Sequence, residues 1–150
     1  MSLLYLEDLT PGRTFETDAL EVTEAMIHAF ARDFDPQPFH LDHAAADASL
    51  FKGLAASGWH TLALTMGLVV RSPMTIANGH VGMGVEGVRW PRPVRAGDTL
   101  RVTIEVLDVT PSRSQPGWGV MRARWTTRNQ HGETVAVATP SYWVQARGDT

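Results

Sequence analysis

A chain of 150 residues with 43% hydrophobic and 19% charged side chains has the size and make-up of a single folded domain with its own core. It contains no cysteine, which excludes a disulfide framework, thiol catalysis and thiolate metal ligation. The net charge of −3 offers no basic field to nucleic acid. Lys52 is the single lysine among 13 basic residues, so Schiff-base chemistry would rest on one side chain.

The first residues, MSLLYLEDLTPG, have no basic lead and reach Glu7 and Asp8 before any long apolar run, unlike a signal peptide. Residues 23–34 place Met26, Ile27, Phe30 and Phe34 at spacings of three and four, predicting an amphipathic helix. Pro36 and Pro38 end it, since a proline disfavours the helical conformation in the residue before it. Residues 42–51 are alanine-rich and predict a second, short helix. A third starts at Ser57, whose hydroxyl can cap free backbone N–H groups, and runs to Arg71. It is apolar almost all round and is expected to be largely buried. Its apolar part, Leu62–Val70, is far shorter than the ~20 residues that cross a bilayer. The expectation is a soluble, cytoplasmic protein without a membrane partner.

From about residue 80 the period changes. Residues 81–90, 99–109, 119–128 and 134–145 are rich in Val, Ile, Thr and Trp and are separated by turn residues. Met121, Ala123 and Trp125 alternate with Arg122, Arg124 and Thr126, as in an antiparallel sheet with one wetted face. Helices followed by consecutive strands define an α+β class, with a curved sheet around the Ser57–Arg71 helix.

Functional residue types are densest in Asp35-Pro-Gln37-Pro-Phe-His40-Leu-Asp42-His43. A turn stiffened by two prolines holds a carboxylate and an imidazole five positions apart, a pair able to exchange protons with water. The same residues also suit a plain helix junction in which Asp35 caps the backbone and His40 bonds locally. A metal site at His40, Asp42 and His43 is not expected, because the spacing is cramped and no second ligand cluster is evident. His60 fits either a site-facing or a surface position.

Asp35-x-Gln37-Pro38-x-His40-x-Asp42 resembles the Asp-x-Asn-Pro-x-His-x-Asp signature of MaoC-like dehydratases, the (R)-specific enoyl-CoA hydratase group of the hotdog fold. The likeness covers most of the chain. Leu6–Gly12 resembles that family's opening strand and Ala56-Ser57-Gly58 the start of its central helix. Arg89-Trp90-x-Arg92-Pro93-Val94-x-x-Gly97-Asp98 is similar to its Pro-Val-x-x-Gly-Asp connection, and Arg128–Val135 to its last hairpin. Gln37 stands where the family usually has Asn, Phe34 where Gly is common, and Ser57-Gly58 where His-Gly is frequent. The serine that many hydratases carry one turn into the helix falls at Ala63.

The resemblance implies one hotdog domain over residues 1–150, a homodimer or higher homo-oligomer, and a CoA or acyl-carrier-protein thioester as substrate with no further cofactor. It places Asp35 and His40 on the catalytic pair. Charge developing on the thioester oxygen calls for N–H donors, and the helix start at Ser57 and Gly58, with Gln37 nearby, is the expected positioning group. Gly58 would let a ligand approach the backbone. Arg89, Arg92 and Arg95 are the candidates for the CoA phosphates, because their forked guanidinium groups match phosphate oxygens.

Overall fold

The computed structural model describes residues 2–148. Its core is one antiparallel sheet in the order β1 (Thr14–Glu16), β4 (Thr99–Pro111), β5 (Trp118–Arg128), β6 (Thr134–Gln145), β3 (Val81–Arg89), with β2 (Leu20–Glu21) pairing β4 beside β1. The four long strands match their predicted positions within two residues. Leu100, Val102, Ile104 and Val106 of β4, Met121 and Ala123 of β5 and Val144 of β6 turn inward and are fully buried. The opposite face carries the polar half of the alternation, where Arg124 meets Glu105 at 3.1 Å and Arg122 meets Asp108 at 2.9 Å across β4 and β5.

Among the described residues, four α-helices precede the long strands. Thr23 starts α1 (Glu24–Phe34) by accepting a hydrogen bond from the Met26 amide at 3.2 Å. The two prolines then enforce a tight corner. Pro38 occupies the first turn of α2 (Pro38–Leu41), and Asp42 caps α3 (His43–Asp47) by accepting from the Ala45 amide at 2.8 Å. The predicted helix over 42–51 therefore stops at Asp47. The opening strand expected at Leu6–Gly12 is instead a 3₁₀ turn at Leu6–Asp8. Its Leu6 packs so close to Gly119 that an added Cβ there would lie 2.4 Å from the leucine.

Helix α4 (Gly58–Val70) crosses the concave face of the sheet. Thr65 pins it, bonding Thr61 O at 2.8 Å and the Thr127 hydroxyl of β5 at 2.7 Å. Burial all round was expected, but only one face is covered. Thr61, Thr65, Leu68 and Val69 are buried, while Trp59, Met66 and Val70 are more than half exposed. Strand β3 is exposed along Val81–Gly87 on both of its faces. Among the described residues, no helix is long and apolar enough to cross a membrane.

His60 lies neither in the site nor on the surface. Its ring is buried and stacks on Phe30 at 4.7 Å, and its Nδ1 has no hydrogen-bond partner among the described residues. Burial holds its pKa below the ordinary 6.5. His80 is held down by burial too, against the opposing hydrogen bond to the Met74 carbonyl. The unfolded chain therefore binds more protons than the folded one once pH falls below 6.5, and stability declines with falling pH. Melting curves recorded from about pH 7 down to about pH 5 should show this decline. The His60→Gln/His80→Gln double variant should show a flatter profile.

Candidate active site

Asp35 closes α1 and His40 sits in α2, so the proline corner turns two neighbouring side chains toward one another. His40 Nε2 lies 3.3 Å from Asp35 Oδ2. The imidazole is buried, and its Nδ1 stands 2.6 Å from the Ala55 carbonyl. A carbonyl can only accept, so Nδ1 carries the proton and the Nε2 of a neutral ring presents its lone pair toward Asp35.

The Asp35 carboxylate is held from both sides. Gln37 Nε2 donates to Oδ1 at 2.6 Å and Ser57 Oγ donates to Oδ2 at 2.7 Å. Burial pushes its pKa up, but the bonds from Gln37 and Ser57, and the charge that His40 carries when protonated, outweigh it, so the Asp35 pKa lies below the ordinary carboxylate value. Among the described residues the Asp35 side chain bonds Gln37 and Ser57 and caps no backbone amide, in contrast to the plain junction in which it would cap the following backbone.

Ser57 was expected to cap α4 with its hydroxyl. It makes no such cap, because that hydroxyl is spent on Asp35, leaving the first amides of α4 without a side-chain partner. Those amides border a cavity of about 390 Å³ lined by Asp35, Gln37, His40, Gly58, Trp59 and Trp90, with Phe39, Phe51 and Arg92 further along its wall. Gly58 was expected to let a ligand approach the backbone; in this structure its close neighbour is the Trp90 indole. A Cβ at position 58 would stand 2.6 Å from that ring. Trp59 meets Trp90 edge to face at 5.5 Å. Neither tryptophan was singled out from the sequence, although Trp90 lies within the Arg-Trp-x-Arg-Pro-Val connection that was.

The three candidate phosphate arginines separate. Arg92 lines the cavity and pairs with Glu133 at 2.9 Å while staying largely exposed. Arg89 is exposed on β3, outside the cavity lining. Arg95 is committed elsewhere: its Nη1 donates to Gly53 O at 2.7 Å and Leu54 O at 3.2 Å, and its Nη2 donates to Phe51 O. It is a strut for the segment leading to Ala55, not a free phosphate ligand.

The MaoC like domain matches residues 7–128. The MaoC-like dehydratase from Rhodospirillum rubrum superposes with a TM-score of 0.93 at 49% identity, over 97% of this chain and 99% of that one. The (R)-specific enoyl-CoA hydratase of the same organism is 28% identical over 148 residues, 97% of this chain and 95% of its own. The unliganded R-hydratase PhaJ1 from Pseudomonas aeruginosa superposes with a TM-score of 0.74 at 27% identity, over 95% and 86% of the two chains. The fold is a hotdog, α+β in class. The chain belongs to the MaoC-like dehydratase family.

Proposed function

We propose that the protein is a hydro-lyase that adds water across the double bond of a trans-2-enoyl-CoA or acyl-carrier-protein thioester, or removes it in reverse. The observation that carries this reading is the Asp35–His40 pair, with the imidazole proton held on Nδ1 by the Ala55 carbonyl, opening into a cavity beside the uncapped start of α4. The reacting water binds on the cavity side, within hydrogen-bond reach of both the Asp35 carboxylate and His40 Nε2. Nε2 takes one proton as the oxygen bonds to C3, while Asp35 accepts the other O–H and stabilises the imidazolium. The electron pair of the double bond moves toward the thioester oxygen, which the first amides of α4 stabilise. The imidazolium then returns its proton to C2, so one water enters the product and nothing leaves.

The names of two relatives, an (R)-specific enoyl-CoA hydratase and an R-hydratase, support this chemistry. Arg92, at the cavity wall, is the remaining candidate for a CoA phosphate. Incubation with crotonyl-CoA tests the proposal: loss of enoyl absorbance is expected, whereas release of free thiol would indicate a thioesterase and neither change a non-catalytic binding subunit.

The exposed β3 edge, with Val81, Met83 and Val85 each over 40% exposed, and the bare Trp59–Met66–Val70 face of α4 support a homodimer. Apolar surface and an unpaired strand of this kind favour pairing with a second copy. Light scattering at micromolar concentration should give twice the chain mass of 16.5 kDa. A value of 16.5 kDa would defeat the dimer.

A further inference from the structure

We propose that Glu24, His28 and His43 form a binding site for a divalent transition-metal ion, of which zinc is the natural probe, on the outer side of the corner that carries Asp35 and His40. Glu24 opens α1 and His28 lies one turn further along the same face, the spacing that makes helical side chains neighbours. His43 opens α3 and arrives beside them because the proline corner folds α3 back onto α1.

The side chains converge through their ligating atoms. His28 Nε2 is 3.1 Å from Glu24 Oε1, and His43 Nε2 contacts the same oxygen. One ligand atom from each of the three residues lies within 4.8 Å of the others. The two imidazoles meet edge to face at 6.5 Å, so their Nε2 atoms point at a shared spot without the rings colliding. An ion ~2.1 Å from each ligand in tetrahedral geometry needs donors ~3.4 Å apart. Glu24 and His43 are exposed and His28 partly so, which leaves their rotamers free to adjust to that spacing.

Two imidazole nitrogens and one carboxylate suit zinc, cobalt or nickel. Calcium and magnesium call for six or more oxygens and find one carboxylate here. Motif spacing hides the cluster, because it groups His43 with its sequence neighbours His40 and Asp42. His40 in fact turns inward to Ala55, and Asp42 caps α3. An ion at this position joins α1 to α3 across the two ends of the catalytic segment, so occupancy should stiffen that segment.

Metal-free protein titrated with zinc chloride at neutral pH should bind one equivalent per chain in calorimetry. Its melting temperature should rise by roughly 5–10 °C at a hundredfold excess over Kd. His43→Ala should weaken binding at least tenfold, whereas His131→Ala, at an exposed position elsewhere, should leave it unchanged. In ¹H–¹⁵N spectra of the imidazoles, the shifts should be confined to His28 and His43. Glu24→Gln keeps the side-chain shape and supplies a second loss-of-binding variant should His43→Ala prove unstable. Absence of binding at millimolar zinc would overturn the proposal. So would affinity retained in the His28→Ala/His43→Ala double variant, or lost in His40→Ala alone, which would place the ion at Asp35 and His40.

Discussion

Asp35→Asn and His40→Ala should each lower kcat for hydration of a trans-2-enoyl-CoA by roughly 10²–10⁴-fold, the range for a lost acid–base group. Asn keeps the shape of Asp35 and can still meet Ser57, but it removes the charge that stabilises the imidazolium. Ala at position 40 removes the proton carrier and frees the Ala55 carbonyl. The double variant should be hardly slower than the slower single variant, because groups that act as a unit are not additive. Folding separates the two substitutions from mere damage. Asp35→Asn should melt close to wild type, since the carboxylate is partly exposed, at 18% of its side-chain surface. Steady-state kinetics beside melting curves decide the matter, and unchanged turnover in folded His40→Ala would sink the hydratase reading.

Arg95→Lys should have the second largest effect, and it should reach the chemistry without touching substrate. Three backbone carbonyls, those of Phe51, Gly53 and Leu54, converge on one guanidinium. A lysine ammonium lacks the fork that spans them. Loss of charged hydrogen bonds of this kind costs about 1.5–3 kcal/mol, a fall in Tm of roughly 5–10 °C for a chain of this size. Ala55 follows directly in sequence, and its carbonyl sets the His40 tautomer. A small shift there misaligns Nε2, so kcat should fall roughly 10–100-fold in the folded fraction while KM changes little. If Arg95 were instead a phosphate ligand, KM for the CoA thioester would rise, that for a pantetheine thioester would not, and Tm would hold.

Much of the architecture was legible because periodicity is a property of residue order. The switch from a helical to a two-residue repeat near residue 80 located all four long strands, and the Asp35-x-Gln37-Pro38-x-His40 turn located the pair that the structure brings to 3.3 Å. What stayed hidden depends on the partners a residue finds only after folding. Ser57 reads as a helix cap in sequence, yet its hydroxyl meets a carboxylate 22 positions away. Arg95 reads as a phosphate ligand, yet its partners are peptide carbonyls some 40 positions distant, which every residue type supplies and none advertises. The exposed face of α4 was missed for a related reason. An apolar sequence says that a surface avoids water, but not whether the same chain is what covers it.

The indole resting on Gly58 carries one more consequence. Because no side chain fits at position 58 while Trp90 lies there, position 58 can vary only if position 90 changes too. In the proposed reaction they also share a task, as the glycine exposes the amides that polarise the thioester and the tryptophan covers them. In the proposed reaction the space beside the first amides of α4 is then set by Trp90, from the strand connection and not from the helix. In that reaction, trimming Trp90 is the route to bulkier substrates.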